Sequence, residues 1–168
     1  MNLFILRHGL AVDPGTPGYP DDSQRPLTPK GVRRLQQITE VMRRMELAFD
    51  VIFSSPYLRA AQTADIVADA FDLQKKLVLT NELAPGGSPK ALIEQVNKLK
   101  PAPPNGVMLV GHEPYLSQLI ALLVTGGTTA AIELKKAGLA RLETEALSCG
   151  RCATLSWLLT PRQMESMT

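Results

Sequence analysis

The chain has only two histidines and two cysteines in 168 residues, and aromatic residues make up 5% of it. It lacks any run near the eighteen or so consecutive apolar residues that a membrane-spanning helix needs. Its opening, Met1-Asn2-Leu3-Phe4-Ile5-Leu6-Arg7, lacks the basic start, long apolar core and small-residue cleavage site of a secretory signal. These absences predict a cytoplasmic protein with no membrane partner. Charge of one sign is scarce as well. The net charge is +2, and pairs such as Arg33-Arg34, Arg43-Arg44 and Lys135-Lys136 are scattered along the chain. Nucleic-acid binding calls for a dense basic stripe, so no nucleic-acid partner is expected. Both cysteines fall in Cys149-Gly150-Arg151-Cys152, with no second pair and with both histidines far away in the chain. That leaves no ligand set for a structural zinc. Gly150 suits a tight turn there, and the thiols read as incidental.

What is present describes a globular protein. Apolar residues make up 45% of the chain and charged residues 20%. The length suits one domain over residues 1–168. Residues 2–7 form a short apolar run ending at Arg-His-Gly and read as a buried first strand. A loop over 10–27 follows, punctuated by Pro14, Gly15, Pro17, Gly18, Pro20 and Pro26. Thr28-Pro29 is a helix start, and Val32, Leu35, Ile38, Met42 and Met45 recur at helical spacing, predicting a helix over 29–46. Residues 51–54 read as the second strand. Ser55-Pro56 repeats the cap-plus-proline signal and predicts a second helix, with Ala60, Ala64, Val67, Ala68 and Phe71 inward. A third strand at 77–79 and a helix over 89–99 follow. After a proline-rich connection at 100–106 come a strand at 107–110, a helix from Pro114, and two last strands near 137–144 and 152–159. Apolar strands alternating with helices predict an α/β fold: a three-layer α/β/α sandwich around a mostly parallel central sheet. In such folds ligands bind at the carboxyl ends of the strands.

Both histidines sit at such ends. His8 follows the first strand beside Arg7, and His112 follows the fourth. Arg59 falls in the first turn of the second helix, directly after strand two. If these strands are central and parallel, two imidazoles, two guanidinium groups and two helix N-termini converge. That is an anion site strong enough for a phosphate dianion. A lone histidine after a strand is more often structural than functional, and spacing alone carries the reading no further.

Leu6-Arg7-His8-Gly9 resembles the signature of the histidine phosphatase, or phosphoglycerate mutase-like, superfamily. Three further segments are similar to the same family and stand in the same order. They are Arg25-Pro26-Leu27-Thr28-Pro29-Lys30-Gly31, the run from Ser54-Ser55-Pro56 through Arg59 to Thr63-Ala64, and Val110-Gly111-His112-Glu113. The resemblance implies a phosphoglycerate mutase-like fold and a phosphatase that needs no metal and no organic cofactor. It makes His8 the nucleophile, gives Arg7 and Arg59 the phosphoryl oxygens, and turns His112 toward the phosphate. Arg25 is a further phosphate-binding candidate, with a solvent-facing place before the helix as the alternative. Glu82 occupies a place comparable to the family's general acid, and could equally be a surface residue at a loop start. Glu113 suits the helix N-terminus that follows it, where a carboxylate meets the dipole.

Length and the Arg-Pro-Leu-Thr segment look most like the SixA-type phosphohistidine phosphatases. Only 52 residues separate Arg59 from His112, which leaves no room for the larger insertion that covers the site in mutases and sugar bisphosphatases of the family. The expected site is therefore shallow and open. It would suit a phosphorylated protein, such as a histidine phosphotransfer domain of a signalling relay, better than a small phosphate ester, which gains affinity from enclosure. A third alternative is a non-catalytic phosphate-binding module that docks on a phosphorylated partner.

Overall fold

A computed structural model describes residues 1–100 and 104–167; the centre of the proline-rich connection, 101–103, lies outside the described residues. Six strands form one sheet: β1 (Asn2–Arg7), β2 (Val51–Ser54), β3 (Leu77–Leu79), β4 (Gly106–Gly111), β5 (Leu139–Glu143) and β6 (Thr154–Leu159). Their order across the sheet is β3-β2-β4-β1-β5-β6. The first four run parallel, β5 returns antiparallel to β1, and β6 pairs antiparallel with β5. Among the described residues, five α-helices complete the fold: α1 (Pro29–Arg44), α2 (Leu58–Ala70), α3 (Pro89–Asn97), α4 (Tyr115–Thr125) and α5 (Pro161–Glu165).

The period-two alternation of the central strands builds the layers. In β1, Leu3 and Ile5 face one core, where they join Leu92 and Val96 of α3 and Leu116, Leu119, Ile120 and Leu123 of α4. Phe4 and Leu6 face the other core, with Leu35, Ile38 and Met42 of α1 and Ala60, Ala64 and Val67 of α2. β4 divides in the same way, Val107 and Leu109 to the first side and Met108 and Val110 to the second. This is the expected α/β/α sandwich. β3 is apolar but partly exposed, because it forms an edge of the sheet.

Helix starts follow the side chains that can accept from orphan backbone N–H groups. The Thr28 hydroxyl accepts from Gly31 N–H and Ser88 from Ala91 N–H, each just ahead of a proline in the first helical position. Ser55-Pro56 does not open α2 as its pattern predicts. The Ser55 hydroxyl accepts from Tyr57 N–H at 3.2 Å, which makes a local turn, and the helix begins only at Leu58. α5 was not foreseen, although Thr160-Pro161 carries the same signal; Thr160 and Gln163 form a reciprocal capping box there. The helix over 89–99 stops at Asn97, and Leu99 packs beyond it against the core.

Candidate active site

The sheet order makes β2, β4 and β1 neighbours, so their carboxyl ends lie side by side. The hydrogen-bond ladder runs one residue past each strand: His8 N–H donates to Gly111 carbonyl at 3.1 Å, and Ser55 N–H to Val110 carbonyl at 3.0 Å. The residues just after the strands are therefore held in register by backbone bonds. The imidazoles of His8 and His112 meet with ring centres 5.1 Å apart, at an interplanar angle of 52°.

His8 is 6% exposed. Its Nδ1 lies 2.8 Å from the Gly9 carbonyl oxygen, which can only accept, so Nδ1 carries the proton and Nε2 keeps its lone pair. Burial, assisted by His112, Arg59 and Arg7, pushes its pKa down to about 3, so the ring is neutral near pH 7. Gly9 is needed for close packing: a Cβ there would stand 2.6 Å from Leu35 Cδ1. Gly9 N–H donates to the Thr63 hydroxyl at 3.1 Å, and that hydroxyl donates to the Arg59 carbonyl at 2.7 Å. Thr63 thus ties the His8 loop to α2.

Arg59 is 4% exposed and directs Nε–H at His8 Nε2, 3.3 Å away. Its other nitrogens turn to a residue that sequence reasoning missed. Nη1 donates to the Asp22 carbonyl at 2.7 Å and Nη2 to the Asp22 carboxylate at 3.0 Å. Arg25 reaches the same carboxylate through Nε at 2.8 Å. Burial works to raise the Asp22 carboxyl, but the hydrogen bond from Arg25 and the charge of Arg59 outweigh it and hold it below the usual carboxylate range. The solvent-facing alternative for Arg25 does not hold: the residue is 9% exposed, and its guanidinium also donates to the Val12 carbonyl. Asp22 sits in a single turn of 3-10 helix within the 10–27 loop. Its Asp-Ser sequence before Arg25 marks a turn, but nothing in the pattern announces where the carboxylate points.

His112 is 3% exposed, and burial followed by the charge of Arg59 lowers its pKa to about 4. Its Nε2 lies 2.7 Å from the Ser55 hydroxyl, while its Nδ1 is buried with no partner. The Tyr57 ring packs edge-on against it at 5.2 Å, and the Arg59 guanidinium lies 5.3 Å from the same tyrosine ring. Tyr57 therefore packs against two of the site's side chains. Arg7 donates through Nη1 to the Leu134 carbonyl at 2.9 Å, and its buried Nε–H has no partner. Burial lowers the pKa of both guanidinium groups, but an arginine remains charged.

Glu82 is not hydrogen-bonded into this cluster. Its carboxylate accepts from Ser88 N–H at 2.8 Å, at the start of α3, and hydrogen-bonds none of His8, Arg7, Arg59 and His112. Glu113 accepts from Ser117 N–H at 2.9 Å, as expected for a helix N-terminus. The span from Arg59 to His112 contains no lid among its described residues. The site is nonetheless less open than expected, because Asp22 of the 10–27 loop lies across Arg59. No group of three or more His, Cys, Asp and Glu side chains among the described residues is arranged to hold a metal. No helix among them is long and apolar enough to cross a membrane.

The arrangement offers an imidazole lone pair, two guanidinium groups and, at Arg7 Nε, an unpartnered N–H donor at the carboxyl ends of neighbouring strands. It can accept an electrophilic phosphorus and neutralise the oxygens around it.

Residues 3–84 match the model of the histidine phosphatase superfamily, branch 1. An uncharacterized protein of Picosynechococcus is 37% identical over 146 residues, 87% of each chain. The phosphohistidine phosphatase SixA of Escherichia coli is 30% identical over 129 residues, covering 76% of this chain and 77% of that one. Among solved structures, the protein histidine phosphatase SixA complexed with tungstate superposes with a TM-score of 0.81 at 26% identity, covering 96% of this chain and 98% of the other.

Proposed function

The chain belongs to the histidine phosphatase superfamily, and from that premise we propose that it removes the phosphoryl group from a phosphorylated histidine on a protein, through a covalent intermediate on His8. One observation carries the mechanism: His8 Nδ1–H is tied to the Gly9 carbonyl, which leaves Nε2 as the nitrogen with a lone pair on a neutral ring. In the first step that lone pair attacks phosphorus, the P–N bond to the substrate imidazole breaks, and the leaving nitrogen takes up a proton from solvent water. In the second step water attacks phosphorus and gives up a proton to solvent, the bond to His8 Nε2 breaks with its electron pair returning to the ring, and phosphate leaves. Splitting one displacement into two lowers each barrier. Arg59 Nε–H must let go of His8 Nε2 as phosphorus arrives, and it is then placed to donate to a phosphoryl oxygen. Arg7 Nε–H is a second donor, buried and unpartnered, so it need break no protein hydrogen bond to reach an oxygen.

Two features favour phosphohistidine as the substrate. The first is the identity with the E. coli phosphohistidine phosphatase over about three quarters of the chain. The second is Glu82, whose carboxylate is engaged by Ser88 N–H. An imidazole leaves from a weak P–N bond with less acid assistance than an alkoxide needs. A second reading, a small phosphate ester, is favoured by the near-complete burial of both imidazoles, which suits a compact ligand.

The test compares substrates. The protein and its His8→Ala variant are mixed, in EDTA, with a phosphorylated histidine phosphotransfer domain and with a panel of small phosphomonoesters. Rapid loss of phosphate from the domain, absent in the variant, is expected. Turnover of a small ester alone would favour the second reading, and turnover of neither would leave a phosphate-binding module.

A further inference from the structure

The Ser55 side chain has a proton to place and very few places to put it. The residue is fully buried at the end of β2. Its hydroxyl oxygen has two partners among the described residues, Tyr57 N–H at 3.2 Å and His112 Nε2 at 2.7 Å. A backbone N–H can only donate, so the one acceptor in reach of the hydroxyl proton is the His112 nitrogen. If His112 Nε2 carried the proton instead, the hydroxyl would accept from both neighbours and its own hydrogen would be buried with nothing to bond. Such orphaned polar groups are rare in folded proteins.

We infer that Ser55 is a positioning residue: its hydroxyl donates to His112 Nε2 and so holds the ring as the Nδ1–H tautomer, leaving a buried N–H donor for a phosphoryl oxygen. This rests on reading the site as a phosphoryl-transfer centre, but the tautomer can be observed in the resting protein.

The tautomer decides the sign of the interaction. His112 Nδ1 is buried and unpartnered whichever nitrogen holds the proton. As a lone pair it would repel a phosphate dianion. As N–H it attracts one and breaks no existing hydrogen bond when the substrate arrives. A doubly protonated ring would offer a donor without any help from Ser55, but burial and the nearby arginines keep this imidazole neutral around pH 7. The ring's place is set independently, by the backbone bond from Leu116 N–H to the His112 carbonyl at 3.0 Å and by the edge-on Tyr57 ring. Removing the hydroxyl should therefore change the proton's position more than the ring's.

With only two histidines in the chain, nitrogen-15 NMR can read each ring, and a His8→Ala sample assigns the remaining signals to His112. At pH 7 the native protein is expected to show His112 protonated at Nδ1. In Ser55→Ala the preference should be lost, with kcat/KM lower by about tenfold or more, as when one preplaced donor is removed from an anionic transition state. Ser55→Thr keeps the hydroxyl and should keep the Nδ1–H signature. The inference is overturned if native His112 is protonated at Nε2, if Ser55→Ala leaves the tautomer unchanged, or if the tautomer changes while kcat/KM stays within about twofold. If the Nδ1–H tautomer is seen in a protein with no phosphatase activity, the proposed function has failed and the role of Ser55 in setting the tautomer has not.

Discussion

Arg59 and Asp22 are joined twice, by the guanidinium Nη1 to the Asp22 carbonyl and by Nη2 to its carboxylate. The carboxylate thus occupies the guanidinium edge that faces away from His8. A phosphate dianion that reaches for the same edge must displace it or share it. The Asp22 side chain is 53% exposed, so solvent screens the pair, and such pairs contribute up to about 1 kcal/mol. Replacing Asp22 with Asn should therefore tighten inorganic phosphate binding by up to about fivefold, since every 1.4 kcal/mol is tenfold. Product inhibition of the native protein and the variant, measured side by side, checks this. Weaker phosphate binding in the variant would mean that Asp22 serves mainly to hold Arg59 in place.

Arg59 itself should be hard to replace. It directs one N–H at His8 while two others hold Asp22, a division that a planar guanidinium allows and a lysine ammonium does not. Both Arg59→Ala and Arg59→Lys are expected to lower kcat by about 100- to 1000-fold, the usual cost of removing one preplaced donor. Steady-state kinetics with melting curves separates this from unfolding.

The two imidazoles also set a pH dependence of stability. Their pKa values in the folded protein are about 3 and about 4, below the ordinary value of about 6.5 in an unfolded chain. The unfolded state therefore binds more protons across that interval, and stability falls as pH drops below 6.5. The slope is up to about 1.4 kcal/mol per pH unit for each histidine. Between pH 6.5 and 5 few carboxylates titrate, so urea midpoints over that range should fall in the native protein and fall less steeply in His8→Ala. A flat profile would mean that the rings are already protonated in the fold.

Thr63 makes a further test, because its hydroxyl both accepts from Gly9 N–H and donates to the Arg59 carbonyl. Thr63→Val keeps the shape and deletes both bonds, leaving a buried Gly9 N–H unpaired. A loss of about 1–3 kcal/mol in urea unfolding is expected, together with a lower kcat.

Glu82 separates the two kinds of leaving group. With its carboxylate held by Ser88 N–H, Glu82→Gln should change phosphohistidine turnover by less than about threefold. Turnover of an alkyl phosphate, whose alkoxide needs a proton, should fall by about 100-fold if Glu82 swings in as general acid. Equal and small effects on both would exclude it from proton transfer.

Much of this was legible in the sequence, and the exceptions have physical reasons. The central strands and α1 announce themselves because apolar period and cap chemistry agree at Thr28-Pro29 and along residues 2–7. His8 and His112 could be placed at one edge because strand ends in parallel sheets share an edge. The start of α2 misled because serine before proline reads as a cap, while here the Ser55 hydroxyl is engaged by Tyr57 N–H and His112. α5 was missed although Thr160-Pro161 repeats the signal read at Thr28-Pro29 and Ser55-Pro56. Asp22 was not legible at all: its role arises from the path of a loop without period, and only the fold shows that the 10–27 segment crosses Arg59. Thr63 and Ser55 lay within a recognised motif, but a motif names residues and does not say which hydroxyl meets which backbone group.

The most direct measurement is to trap the intermediate. Protein mixed with a phosphorylated phosphotransfer domain would be quenched into alkali, which preserves phosphohistidine, within the first turnover, and its peptides examined by mass spectrometry with EDTA present throughout. The account predicts one phosphoryl group on the peptide that carries His8, bound at Nε2, stable in alkali and lost in acid. A phosphoryl group on another residue, or full turnover by His8→Ala, would contradict it.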